Sequence, residues 1–116
     1  MANPVTHFEV LGKDAAALQR FYGGVFGWEM QDVMGSSYFM VHPQSESGID
    51  GGIGTTPEGD GHVTFYVEVE SPAAALETIA ELGGRTVQPP MDVPGGPTIA
   101  LFADPEGHVV GLVKSR

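Results

Sequence analysis

The sequence predicts an α+β fold of two βαβββ modules, forming an open, curled mixed sheet with the helices outside. Three observations predict it. Ala15-Ala16-Ala17-Leu18 recurs as Ala73-Ala74-Ala75-Leu76, and Phe8 and Val10 recur as Phe65 and Val67. A motif doubled at about half the chain length signals a duplication. Each copy couples a period-two segment to a segment of helical spacing, the pattern of a strand followed by a helix. The 17 Gly and 9 Pro in 116 residues mark many turns, hence several short strands.

The elements follow in order. Val5 to Val10 alternates, with Phe8 and Val10 on one side and His7 and Glu9 on the other. Asp14 is placed to cap a helix over 14–26, whose stripe is Ala15, Leu18, Phe21, Tyr22, Val25 and Phe26. Gly27 ends it. Strands are expected at 28–33, 37–42 and 49–55. The second copy opens at His62 to Val69, where Val63, Phe65, Val67 and Val69 oppose His62, Thr64, Tyr66 and Glu68. Ser71 and Pro72 start a helix over 71–82, and Gly83-Gly84 stops it. Strands are expected at 85–88, 98–102 and 109–114. Pro89-Pro90 and Pro94-Gly95-Gly96-Pro97 are assigned to one long connection, and Asp104-Pro105-Glu106-Gly107 to a tight turn. The chain reads as one domain, 1–116, with module one at 1–58 and module two at 62–116. The expected core is Phe8, Val10, Leu18, Phe21, Val25, Phe65, Val67, Leu76, Ile79 and Leu112.

Composition removes several function classes. Five Lys+Arg against 15 Asp+Glu give a net charge of −10. Nucleic acid and anionic membranes are therefore not expected partners, since both need a basic face. The acidity suits solubility, or the attraction of a cationic small molecule. With no Cys, disulfides, thiol catalysis and thiolate metal sites are excluded. The N-terminal stretch lacks the basic and apolar regions of a signal peptide, and no apolar run approaches the ~20 residues that span a bilayer. The expected location is cytoplasmic. No G-x-x-x-x-G-K-[ST] phosphate loop and no G-x-S-x-G elbow is present. Gly51-Gly52-Ile53-Gly54 is glycine-rich but precedes no helical pattern.

Four stretches carry a family resemblance. They are His7-Phe8-Glu9-Val10, then Phe21-Tyr22 through Val25-Phe26-Gly27-Trp28, then Val63 to Val67, then Asp104-Pro105-Glu106-Gly107-His108. With them the chain resembles the vicinal oxygen chelate superfamily of glyoxalases, bleomycin-resistance proteins and extradiol dioxygenases. The resemblance implies a cleft between the modules. It also implies, for metal-using members, ligands on four strands. Carried over, the first ligand position is His7. The second falls in Gly51-Gly52-Ile53-Gly54, the third on Thr64 and the fourth on Gly111. One of the four holds a ligating side chain. His62, two residues before Thr64 and on the same strand side, is the substitute for a metal set of His7 and His62. Glu9 or Glu68 is the substitute carboxylate.

The candidate ligand-binding residues are His7, Glu9, Trp28, Tyr38, Thr64, Tyr66 and Gly111. Each has a plainer reading beside it. His7 and Glu9 are either an acid–base pair or a structural pair. His62 is expected as a solvated residue at a strand end, and His42 and His108 as surface residues. Trp28, Tyr38, Met40 and Tyr66 line a pocket or belong to the core. Gly111 in place of a carboxylate is expected to leave space for an organic ligand. The resulting expectation is a homodimeric, metal-free protein that binds a small organic molecule, cationic by preference, and leans away from being an enzyme. The alternative is a lyase, isomerase or dioxygenase with shifted ligands and a divalent metal such as Zn, Ni, Mn or Fe. An interaction module without a small ligand is a third class.

Overall fold

A computed structural model describes every residue except Met1, Gln44, Pro57, Glu58 and Arg116. The module boundary expected at residue 58 lies outside the described residues. Among the described residues, eight strands and two helices follow one another: β1 (Val5–Gly12), α1 (Ala15–Phe26), β2 (Met30–Asp32), β3 (Tyr38–Val41), β4 (Asp50–Thr55), β5 (His62–Val69), α2 (Pro72–Glu81), β6 (Arg85–Asp92), β7 (Thr98–Ala103) and β8 (Val109–Lys114). The fold is mixed α+β.

The chain divides into two compact units. One holds residues 7–64; the other holds residue 65 onward together with the N-terminal residues through Thr6. The Pro4 carbonyl accepts from the Glu68 N–H at 2.9 Å, which ties the N-terminal residues to the second unit. In the first unit the strand order is β2-β3-β4-β1. β1 and β4 are parallel, and β3 is antiparallel to β2 and β4. In the second the order is β5-β8-β7-β6, with β5 and β8 parallel and the other pairs antiparallel. The same order in each unit is the structural counterpart of the doubled sequence.

Both helices start where their caps place them. Asp14 Oδ1 accepts from Ala17 N at 3.1 Å, and Ser71 Oγ from Ala74 N at 3.1 Å. These bonds satisfy amides that a helix leaves without internal partners. Gly27 closes α1 in the left-handed conformation (φ 70°), its N–H donating to Gly23 O. The Ala15 N–H also donates to Thr55 Oγ1 at 3.2 Å, joining the start of α1 to the end of β4.

Each sheet buries one face under its helix. Between α1 and its sheet, Ala15 of the helix is buried with Val10, Phe39, Val41 and Ile53, and Phe8, Leu18, Tyr22, Trp28 and Met30 pack against them. Between α2 and its sheet, Leu76 of the helix is buried with Val69, Ala100 and Leu112, and Val67, Ala75, Ile79 and Phe102 pack alongside. Three expected core residues are corrected. Phe21 and Val25 are 60% and 56% exposed, because α1 turns Leu18 and Tyr22 to the sheet and leaves the adjoining stripe outside. Phe65 is 43% exposed, because the cluster under α2 takes Val67 and Val69 and stops short of it.

Pro89-Pro90 is a second correction. The pair lies within β6, not in a connection. β6 is paired with β7 on one side and stands last in its unit's strand order. An edge strand tolerates residues that lack an N–H, and the ladder shifts register around them, between Gln88 and Met91.

Candidate functional site

The face of the first sheet opposite α1 is set by register. His7, Glu9 and Leu11 of β1 pair with Asp50, Gly52 and Gly54 of β4, and Gly52 and Gly54 pair in turn with Met40 and Tyr38 of β3. Cross-strand partners share a face, so these residues form one surface. The alternate residues, Phe8, Val10, Ile53, Phe39 and Val41, go under the helix.

Tyr38 connects the polar members of this surface. Its hydroxyl donates to Glu9 Oε2 at 3.0 Å. Its ring crosses β4. A Cβ on Gly52 would meet the Tyr38 hydroxyl and Cζ, and one on Gly54 would meet the same ring. Glycine is required where a ring lies this close to a strand. Gly51, on the other face, is covered in the same way by the Phe8 ring. The run Gly51-Gly52-Ile53-Gly54 is thus a strand crossed by aromatic rings on both faces, and it is almost wholly buried.

His7 is half-buried beside this pair. Burial holds its imidazole below the ordinary histidine value, while the charges of Glu9 and Asp50 pull the other way. Burial is the largest of these causes, so the neutral ring is favoured near neutral pH. A neutral imidazole, a carboxylate and a phenol can together accept and donate hydrogen bonds or hold a proton.

The second unit repeats the aromatic-over-glycine contact. Tyr66 of β5 pairs directly with Gly111 of β8, and its ring occupies the place of a Gly111 side chain. The expectation that Gly111 leaves open space is therefore corrected: Tyr66 fills it. Tyr66 and Gly111 are both buried. Thr64, on the same side of β5 as Tyr66, is also buried.

Other expected residues fall elsewhere. Trp28 does not share the surface of His7 and Glu9. It lies on the helix side, 5.3 Å from the Phe8 ring and stacked on Tyr22 at 5.6 Å between centroids. Its place after the helix-ending Gly27 swings it under α1. His62 is corrected too: its Nε2 is buried and, among the described residues, has no hydrogen-bond partner. His42 and His108 are exposed. Asp104 accepts from the N–H groups of Glu106 and His108 and meets His108 Nδ1, each at 2.9 Å. Those bonds lower its carboxyl below the usual range, the His108 amide first, and make the Asp-Pro-Glu-Gly turn a structural clasp. Two surface depressions lie outside these faces. One is lined by Ile79, Leu82, Phe102 and Pro105, the other by residues 95–98 with Lys114 and Ser115.

The glyoxalase-like domain family matches residues 8–113, nearly the whole length. The chain belongs to that family. Its fold is that of the wider vicinal oxygen chelate superfamily. No curated protein sequence is a significant match. Among solved structures, a glyoxalase/bleomycin resistance protein/dioxygenase superfamily member from Vibrio splendidus is 17% identical, with 98% of this chain and 100% of that one covered and a TM-score of 0.64. A Streptomyces coelicolor methylmalonyl-CoA epimerase in complex with 2-nitronate-propionyl-CoA is also 17% identical, with 99% of each chain covered and a TM-score of 0.67. The Mn(II)-bound glyoxalase from Novosphingobium aromaticivorans is 19% identical over 97% of this chain and 40% of its own, with a TM-score of 0.66. At these identities the likeness is one of fold.

The Novosphingobium glyoxalase is Mn(II)-bound, so this chain's residues can be weighed against that use. Among the described residues, no three His, Asp or Glu side chains group as a metal site. Gly52 and Gly111, on the two strands where the resemblance places carboxylates, are covered by tyrosine rings. A divalent cation needs three or more converging donors, and His7, Glu9 and Asp50, though on one surface, do not group in that way. The residues do not fit the group. The tyrosine cover was not legible from one sequence. The signal that could have suggested it is the coincidence of glycines inside strands with tyrosines on the neighbouring strands.

Proposed function

We propose that this chain is a metal-independent binding protein for a small organic molecule, with a preference for a cation. The observation that carries this reading is the first-unit surface on which Tyr38 holds Glu9, beside a half-buried His7 kept neutral by burial. Glu9 and Asp50 supply negative charge there, and the Tyr38 ring supplies a π face for an ammonium group. The net charge of −10 adds long-range attraction for such a ligand. Tyr66 and Gly111 give β5 and β8 a second surface, which is uncharged at those positions.

Calorimetry and thermal denaturation test the reading. The wild-type chain, purified without chelator, is titrated with Zn²⁺, Ni²⁺, Mn²⁺ and Fe²⁺, and its melting is followed with benzylamine or benzoate added. The expected result is no stoichiometric metal binding tighter than about 1 μM, and a larger stabilisation by the amine than by the acid, removed in Glu9→Gln. Equal stabilisation by both would overturn the cation preference.

A metal-dependent lyase, isomerase or dioxygenase is the second reading. The buried Nε2 of His62, without a hydrogen-bond partner among the described residues, favours it, because an imidazole nitrogen is a common metal ligand. One metal per chain, lost in His7→Ala and His62→Ala, would establish it over the first.

The proposal includes a cytoplasmic homodimer. Phe21, Val25 and Phe26 stand exposed on α1, and apolar groups gathered on one helix are commonly covered by a partner. Light scattering that returns a monomer mass at high micromolar concentration would remove the dimer. No helix among the described residues is long and apolar enough to cross a membrane.

A further inference from the structure

We infer that Tyr38 is a specificity-determining residue that keeps the His7–Glu9 surface closed to divalent metals, and that Tyr66 closes Gly111 to a side chain in the same way. This deepens the metal-independent reading and rests on it. An absent ligand can be restored by one substitution; an occupied place cannot. At Gly52 the place is occupied. Any Cβ there collides with the hydroxyl end of Tyr38, the end that is anchored to Glu9. A carboxylate could enter at 52 only if Tyr38 left, and leaving would break the bond to Glu9.

The surrounding residues show what Tyr38 withholds. Gly52 is the cross-strand partner of Glu9, and His7 is the partner of Asp50, two places along the same pair of strands. Directly opposed residues have Cβ atoms about 5 Å apart and share a face. A carboxylate at 52 would therefore stand next to Glu9 and within two places of His7. Glu9 and Asp50 already share this surface with His7, but the three are not grouped as a metal site; a further carboxylate at 52 would bring the acids together next to Glu9, a donor set suited to Zn²⁺, Ni²⁺ or Mn²⁺. In the native chain the phenol ring holds that volume, and its hydroxyl engages Glu9. The surface accordingly presents a ring and a hydrogen-bonded carboxylate, which suits an organic ligand.

At Gly111 a Cβ would meet the Tyr66 ring itself. Gly111 is the direct partner of Tyr66, so the ring and the missing side chain are again complementary. The two contacts lie in different compact units. The same device therefore arises twice from separate residues.

The test compares Gly52→Glu, Tyr38→Ala and the double variant Tyr38→Ala/Gly52→Glu by calorimetric titration with Zn²⁺ and Ni²⁺, using circular dichroism to confirm folding. The expected result is at least about tenfold tighter metal binding by the double variant than by the wild type or either single variant. That gain should disappear when His7→Ala is added. A double variant that binds no better than wild type, or a Gly52→Glu variant that binds as well with Tyr38 in place, would overturn the inference. Tight binding by the wild-type chain would overturn the metal-independent reading as well, so the two failures are distinguishable.

A melting cycle at the second contact does not depend on metal and remains informative if the double variant fails to fold. Gly111→Ala should lower the melting temperature by about 10 °C in the wild-type background, and by less than about 3 °C beside Tyr66→Ala. Equal shifts in both backgrounds would show that the Tyr66 ring does not hold the place of a residue 111 side chain.

Discussion

The two modules share a topology and differ in what fills it. Under α1 the packing is largely aromatic: Phe8, Tyr22, Trp28 and Phe39 surround Val10, Val41 and Ile53. Against α2 it is aliphatic and small, with Val69, Leu76, Ala100 and Leu112, and among the described residues of that cluster the one ring is Phe102. The opposite faces diverge as well. Module one sets His7, Glu9 and Asp50 on one surface, where Tyr38 binds Glu9, whereas in module two Tyr66 lies on Gly111. Strand order depends on backbone pairing and on which face is apolar, and several side-chain sets meet both conditions. Chemistry depends on individual residues at chosen register positions. A duplicated chain can therefore keep one architecture while equivalent register positions carry different residues.

The comparison can be broken most forcefully in the cores. Ile53→Ala empties a fully buried place in module one, and Leu112→Ala does so in module two. Each should cost about 3–4 kcal/mol in urea denaturation, with the cavity term adding to lost burial. A loss under about 1 kcal/mol at either site would show that its module is not held by the cluster described.

Acid should separate the faces. The native His7 value is lowered by burial, so the folded chain binds its proton less readily than the unfolded chain. The stabilisation is complete above the ordinary histidine value of about 6.5 and is lost as pH falls through the lowered native value. Denaturation midpoints measured from pH 7.5 downward should therefore decline below pH ~6.5. His7→Gln should flatten that decline, and Tyr66→Phe in module two should leave it intact. An unchanged slope in His7→Gln would remove His7 as its source.

Smaller effects sharpen the symmetry. Asp14→Ala and Ser71→Ala remove equivalent caps and should each cost about 1 kcal/mol. A twofold or larger inequality, read by thermal melting, would show that one helix depends more on its cap than on its sheet. Phe21→Ala should cost less than about 1 kcal/mol in the monomer, since the ring is mostly outside. A larger loss that depends on protein concentration would place Phe21 in a subunit contact. The smallest expected effect is at the Lys13–Asp60 pair, 3.1 Å long and exposed on both sides. Asp60→Asn should change stability by less than about 0.5 kcal/mol, with or without salt.

Much of this fold is legible in the sequence because its causes are local. Alternation predicts β1 and β5, and Asp14, Gly27 and Ser71 mark helix ends through bonds that span three or four residues. The doubled Ala-Ala-Ala-Leu run shows that one plan was used twice. The candidate site was only partly legible. His7, Glu9 and Tyr38 do meet, as strand parity allows. Trp28 parted from them because direction after a helix end depends on where the chain turns next, which no periodicity encodes. Pro89-Pro90 looked like a connection because edge position, the condition that admits proline to a strand, is known only once strands are ordered.

The amino-acid sequence by itself determined the two modules, their caps, the acidic charge and the glycines at 52 and 111. Those are properties of composition and near-neighbour spacing, and each has a physical cause within a few residues. Tertiary structure alone decided what the glycines are for. A glycine within a strand reads equally as a weak point, an open space or a seat for a neighbouring ring. Only the pairing of β3 with β4 and of β5 with β8 brings Tyr38 and Tyr66 across them. The volume above a residue with no side chain belongs to whichever chain segment folds beside it, and that segment is set by strand register over long separations.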